Sequence, residues 1–481
     1  MIARRPACWA MPAALLATAA YAQSTDQVAD QADALPRSVI EAWRPPTLTI
    51  TRYTENWAAL ADPALRQRRW TGPLKYVPLG SPDRYLSTGL ELRARVEASD
   101  GQTARYWRAM AHADLHLGRV RLFVQGLANA AGGIVGGSSP VDRTGVDLVQ
   151  AFADVTVPLA PGTTLRLEAG RQLVSLGSER LVGTRYGPNT PQPFDGTRAL
   201  LDSGRVTASL FYLVPVVAGP RNFDDGRSRQ KALWGLYATR WLGMGHAARI
   251  DAYALVYHDR AASLQVAGLD HGTGDERRTT LGLRAAGQAG RAYWDGEAMV
   301  QTGRLDGRPI HAWSLALRAG RRFPAIPGKP DLSLHADLAT GDKAAGDGRM
   351  EGFNPLFPKG KYFGELSPFG PRNLIDIHPA LAFTLGRING GAVQLGLTAM
   401  AYWRQSRGDG VYDIPGHRLH AASAGQARFL GKQAEAVMTW QATRELALTA
   451  SASRFVPGGF LVQAGATQPI DLVAGEALFR F

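Results

Sequence analysis

From Tyr85 onward the chain alternates apolar and polar residues in long segments, and the connections between segments alternate short and long. Leu90, Leu92, Ala94 and Val96 interleave with Glu91, Arg93, Arg95 and Glu97. A period of two sends the first set to one face of a strand and the charges to the other. The pattern recurs in 163–174, 291–300, 310–320 and 393–403, and about eighteen such segments can be counted. Short breaks fall at Gly118, Leu159–Gly162, Asp202–Gly204, Gly243–His246, Gly287–Gly290, Gly386–Gly390 and Ala442–Thr443. Most of the alternate breaks are long: 131–146, 175–196, 216–229, 259–276, 341–373 and 405–429, with 99–104 and 303–309 shorter. Sorting loops by parity is what an all-β transmembrane antiparallel β-barrel requires, with tight periplasmic turns and long extracellular loops. A soluble solenoid or pair of sandwiches has no such need. Segment length agrees, since a tilted strand crosses a bilayer in ~9–11 residues. Trp107, Trp241, Tyr257 and Trp403 lie near segment ends, where interfacial girdles form.

Composition narrows the classes further. With 45% apolar and 20% charged residues the chain is not a disordered one. No stretch beyond the N-terminus reaches the ~18 apolar residues of a spanning helix. Residues 1–22 have the form of a secretory signal: Arg4 and Arg5, an apolar run from Ala10 to Ala20, and Ala20-Tyr21-Ala22 as the cleavage site. The one cysteine, Cys8, lies inside it, so disulfides, Cys metal sites and Cys nucleophiles are not expected downstream. Export also sets aside nucleic acid as the partner of a formal charge of +13. Residues 23–84, polar and Pro-punctuated, are expected as a periplasmic N-terminal segment able to plug the inner end, with 23–40 mobile; 85–481 form the barrel.

In a barrel of this size the lumen is wide enough for water, and its inward positions are the polar ones. Parity puts Arg93, Arg95, Arg166, Arg249, Arg284 and Arg318 inward, with Asp154, Glu168, Asp251, Asp295 and Glu297 as acidic counterparts. A set of guanidinium groups favours passage of carboxylates; the same residues serve equally as salt bridges bracing the wall. Arg171 falls on the face of Leu165 and Leu167, so it either lies at headgroup level or is turned inward by a bulge at Gly170. Asp342, Asp347 and Glu351 among glycines offer hard oxygen ligands of the kind that hold Ca2+, though Gly/Asp turns commonly have that composition. No other cofactor is expected. The run Asn354–Gly364 is a candidate gate. No H-E-x-x-H, G-x-S-x-G or phosphate loop is present, and His112 and His116 on one face lie ~13–14 Å apart, so no enzyme is expected.

Three blocks resemble the alginate export family of outer-membrane porins: Arg52–Glu97 ("RYTENW", "LKYVPLG", "LELRARVE"), Gly170–Arg198 ("GRQLVSLGSERLVGTRYGPNTPQPFDGTR") and Gly352–Ala380. The terminal "LFRF" resembles the strand that closes such barrels and is read by the insertion machinery. The resemblance implies eighteen strands, a place in the bacterial outer membrane and passage of an anionic uronate polymer through a basic constriction. It also implies structural roles for the motif residues Gly170, Arg171, Gln172, Arg180, Phe194, Asp195, Gly196 and Arg198; Asp195 and Arg198 are expected to clamp the loop that follows strand five. The expected activity is passive conduction of anionic polysaccharide or other anionic solutes. Expected partners are outer-membrane lipid, the insertion machinery and periplasmic export proteins. A general small-solute porin, and a surface adhesin or receptor without conductance, are the alternatives.

Overall fold

The computed structural model describes residues 43–243, 246–266, 268–344 and 347–481; the expected signal and the 23–40 segment lie outside them. Eighteen antiparallel strands close into one barrel. The first six are Ser81–Ser99 (β1), Gln102–Leu117 (β2), Val120–Gly132 (β3), Gly145–Ala160 (β4), Thr163–Leu173 (β5) and Pro193–Asp202 (β6). The next six are Val206–Val217 (β7), Lys231–Leu242 (β8), Ala248–Val266 (β9), Leu269–Ala289 (β10), Ala292–Leu305 (β11) and Arg308–Arg322 (β12). The last are Asp331–Ala339 (β13), Leu374–Ile388 (β14), Gly391–Arg404 (β15), Phe429–Gln441 (β16), Leu446–Pro457 (β17) and Ile470–Arg480 (β18). Each pairs with its sequence neighbour, and β1 pairs with β18 through Leu92↔Phe479 and Arg95↔Glu476. No helix among the described residues is long and apolar enough to cross a membrane.

Side-chain alternation produces the two surfaces. Leu92 and Val96 are 44% and 47% exposed on the outer wall, while Arg93 and Arg95 between them are buried inside. Asp100-Gly101, Asp306-Gly307 and Asn389-Gly390, all at positive φ, make two-residue hairpins, the turn that matches strand twist. This chemistry accounts for the two short breaks on the long-loop side.

Three sequence expectations are corrected here. The break 259–276 is not a loop: β9 and β10 run on through it, because their polar, Gly-containing ends rise past the apolar belt and still pair from Asp259↔Glu276 to Val266↔Leu269. Trp241 and Tyr257 belong to no girdle. They sit at inward positions of their strands, Tyr257 buried against Phe357 at 5.8 Å and Trp241 under the Arg249 guanidinium at 5.3 Å. Nor is the inner surface purely polar. Leu213, Leu233, Leu255 and Ile310 face inward and bury Val174, Val182 and Phe357 from inserted loops. A second apolar cluster gathers Phe363, Phe369, Tyr402 and Phe455.

Candidate functional site

Among the described residues, three segments outside the barrel strands occupy the lumen. Residues 174–192 and, of 340–373, the described 340–344 and 347–373 enter from the long-loop side and join each other. Gly183 N donates to Phe357 O, Phe357 N to Leu181 O and Lys359 N to Glu179 O, each at 2.9 Å. The candidate gate run is therefore inside the barrel, with Phe357 edge-on to Phe194 at 5.2 Å. From the other end residues 43–79 fold against the inner wall. Trp57, Leu60, Leu65 and Tyr76 pack on Tyr85 of β1, and Tyr53 reaches the Leu173 carbonyl at 2.9 Å. Arg52 donates to the Phe481 carbonyl at 2.5 Å. Trp57 is buried, whereas Trp70 is 60% exposed.

The nominated pore-lining residues all take inward positions, and ion pairs hold most of them. Arg93 meets Glu476 at 3.0 Å; Arg95 sits among Glu97, Glu365 at 2.8 Å and Glu476 at 3.5 Å. Glu365 belongs to the 340–373 segment, so this arginine joins wall to insert. Arg284 bridges Asp251 at 3.0 Å and Asp295. Arg249 lies 3.8 Å from Asp251, Arg166 lies 4.0 Å from Glu168, and Arg121 approaches Asp154 at 3.7 Å. Arg318 stands over the Tyr293 ring at 5.3 Å. Glu297 accepts from Tyr253 at 2.7 Å and from Ser178 of the 174–192 segment. Arg93, Arg95 and Arg284 are at most 4% exposed; with the inserts in place they face partners rather than open water.

The motif residues divide between the two faces. Arg171 remains on the outer face near the long-loop end, where it pairs with Asp195 at 2.8 Å and Asp147 at 3.6 Å. Of the two possibilities the sequence leaves, the bulge is not formed: β4 and β5 keep register through Phe152↔Gly170 and Ala151↔Arg171. Gly170 instead allows close approach, as a Cβ there would lie 2.3 Å from Ala151 O. Arg198 points inward to Glu168 at 3.8 Å, Gln172 at 3.4 Å and the Tyr53 hydroxyl at 3.5 Å. It thus touches the N-terminal segment, while Asp195 serves the outer face. Arg180 of the 174–192 segment reaches Asp337 at 3.5 Å and Glu297 at 4.0 Å. Gly196 lies opposite Gly170.

Asp342 and Glu351 both accept from the Lys343 amide, at 3.1 and 3.2 Å, while Asp347 does not join them. Glu351 binds Lys343 Nζ at 2.7 Å, and Asp347 accepts from the Arg349 amide in a turn of its own. Among the described residues the one acidic group with ligand atoms within 4.8 Å is Asp147, Asp224 and Asp225, and Arg171 already occupies its edge.

Inward alternation on β2 would also have found Arg108, which holds Glu91 at 2.9 Å and the carbonyls of Tyr186 and Pro188 at 3.0 Å. Glu365 and Lys361, paired with each other, carry no periodic signal. Burial lowers the Lys361 pKa to about 8 against the opposing pull of Glu365. Arg185, half-buried in the 174–192 segment, is lowered to about 10 by desolvation.

Lys75 gives the N-terminal segment a pH response. It donates to Thr88 O at 2.7 Å, and burial lowers its pKa from 10.5 to about 7 against the raising pull of Glu55. The undocked segment then holds more protons between pH 7 and 10.5. Docking tightens as pH rises through that window and is weakest below it. Protease resistance of residues 43–79 should rise from pH 7 to 9, and Lys75→Met should remove the slope; equal slopes in both proteins would refute this.

The sequence profile of the alginate export family matches residues 84–472. No curated protein matches the chain. Its fold is similar to crystal structures from Pseudomonas aeruginosa. OccD3 (OpdP) shares 11% identity at a TM-score of 0.54, covering 82% of this chain and 91% of that one. OccK11 (OpdR) shares 13% at 0.52, covering 82% and 96%. OpdK, solved with vanillate, shares 11% at 0.52, covering 82% and 98%. The eighteen-strand barrel is a bacterial outer-membrane channel, and with most of its length matched by one profile the chain belongs to the alginate export family.

Proposed function

We propose that this channel passively conducts anionic solutes, with a uronate polysaccharide of the alginate kind as the principal cargo and no catalysis. The pair between Arg95 and Glu365 carries the reading. A wall arginine there holds a carboxylate supplied by an inserted segment, and a uronate carboxylate offers the same two oxygens to the same fork. Cargo entering the lumen would take the place of Glu365, then pass along Arg93, Arg284 and Arg249, whose acidic neighbours keep each stop weak enough to leave. The extent to which inserts fill the lumen favours a second reading, a porin restricted to small anions. Exchange with periplasmic export proteins and assembly by the insertion machinery belong to the same proposal.

Single-channel recording in a planar bilayer under a KCl gradient, with and without oligouronate, tests it. The expected result is a reversal potential on the anion side and block by oligouronate, both weakened in Arg93→Ala/Arg95→Ala. Anion preference without block would leave the small-anion porin, and conductance without preference a general one. No conductance after deletion of 341–373 would refute the channel and favour an adhesin or receptor.

A further inference from the structure

The lipid-facing wall from β4 to β9 carries a groove of about 1500 Å3. Its floor is the outer face: Leu167, Leu210 and Tyr212 are 45%, 60% and 51% exposed, and Tyr212 stacks on Trp234 at 6.2 Å. At the long-loop end the floor stops beneath Arg227, Arg229, Lys231 and Arg260, all part of the lining. The loop bearing them is fastened to the wall. Gly226–Arg227 pair with Val216 and Val217, Ser228 N donates to Pro215 O at 2.8 Å, and Arg260 N donates to Gln230 O at 3.1 Å. Lys231 shares its charge with Asp259 at 3.6 Å. Arg227, Arg229 and Arg260 have no carboxylate within salt-bridge distance among the described residues; the Arg260 guanidinium has only the Arg229 carbonyl, at 3.4 Å.

We propose that this groove binds one phosphorylated, multiply acylated glycolipid of the outer leaflet, of the lipid A class. Three guanidinium groups without acidic partners suit phosphate monoesters, which take bidentate donors. They stand where the apolar belt meets the external loops, the level of an outer-leaflet headgroup. The floor crosses five interstrand steps, about 24 Å, which accommodates several acyl chains side by side rather than the two of a phospholipid. The β9–β10 hairpin that continues above the belt walls one side of the headgroup position. The inference is independent of what the lumen conducts.

Native mass spectrometry of the detergent-solubilised protein tests it, with bisphosphorylated lipid A, the same lipid stripped of phosphate, phosphatidylglycerol and inorganic phosphate as probes. Bisphosphorylated lipid A should be retained on the wild type. In Arg227→Ala/Arg229→Ala/Arg260→Ala retention should fall about 100-fold, at ~5-fold per surface cation. Arg119→Ala/Arg291→Ala, at the opposite end, should behave as wild type. Retention of the phosphate-free lipid equal to the intact one would overturn the proposal on the wild type alone, whatever the folding of the triple variant. Equal retention by the triple variant, preference for phosphatidylglycerol, or displacement by millimolar inorganic phosphate would overturn it too.

Discussion

Arg95→Ala is expected to release residues 340–373 from the wall while leaving the barrel closed. The substitution strands Glu97, Glu365 and Glu476, three carboxylates at most 4% exposed, with one fewer cation among them. Breaking a buried ion pair by removing one member costs about 3–5 kcal/mol, and here the strain falls on the insert, since the strands keep their ladder. Three readouts follow. Trypsin should cut at Lys359 or Lys361, both inside the lumen in the intact protein. Unitary current should rise, and the heat-modifiable gel mobility of a folded barrel should persist. Arg95→Lys should fall between the two, keeping the charge without the planar fork. Unchanged protease resistance and current in Arg95→Ala would show that the insert's apolar contacts and its other hydrogen bonds hold it without this arginine.

Gly170→Ala is expected to block assembly itself. Gly170 has φ +134° on a strand whose neighbour runs so close that a Cβ would stand 2.3 Å from Ala151 O and 2.6 Å from the Phe152 Cα. These are backbone atoms of a paired strand, which cannot swing aside as a side chain tip would. The conformational penalty and the displacement of β4 together cost about 3 kcal/mol or more. Gly196, its register partner, meets the same obstacle on the other side, with a Cβ 2.0 Å from Tyr212 O. Gly396 is the control, since a Cβ there lies 3.8 Å from its nearest atom. Refolding yield, scored by heat-modifiable mobility, should collapse for Gly170→Ala and stay near wild type for Gly396→Ala. A normal yield for the first would show that β4 and β5 can separate at no great cost.

The strands were legible because a wall with lipid on one side imposes a strict period of two, and that same period placed the nominated arginines inward. It failed where its cause is absent. Residues 259–276 lie above the belt, so nothing demands alternation there and the extended hairpin resembles a loop in composition. Trp241 and Tyr257 lie near strand ends, as girdle residues do, yet their parity is inward, and proximity to an end is the weaker signal. The acids that hold the arginines were partly readable, as with Glu476 on β18, and partly not. Glu365 and Tyr186 come from segments whose path through the lumen is set by long-range packing against Leu213, Leu255 and Phe194, which no local pattern records. Gly170 was singled out for a bulge, and the structure uses its missing side chain for interstrand contact instead.

The bond from Arg52 to the carbonyl of Phe481 joins residues 429 positions apart. Phe481 also exchanges backbone bonds with Leu90, its amide to the Leu90 carbonyl at 3.1 Å and its carbonyl from the Leu90 amide at 3.3 Å. The acceptor that Arg52 needs is therefore in place only after the last strand has met the first. Contacts of such separation form late, because the entropy of closing the intervening chain must be overcome first. The N-terminal segment is made first, and its bond to the last strand forms last. Until the cylinder is sealed, that segment lacks its tie to the last strand and keeps only its contacts with the earlier ones, Lys75 on Thr88 O and Tyr53 on Leu173 O among them.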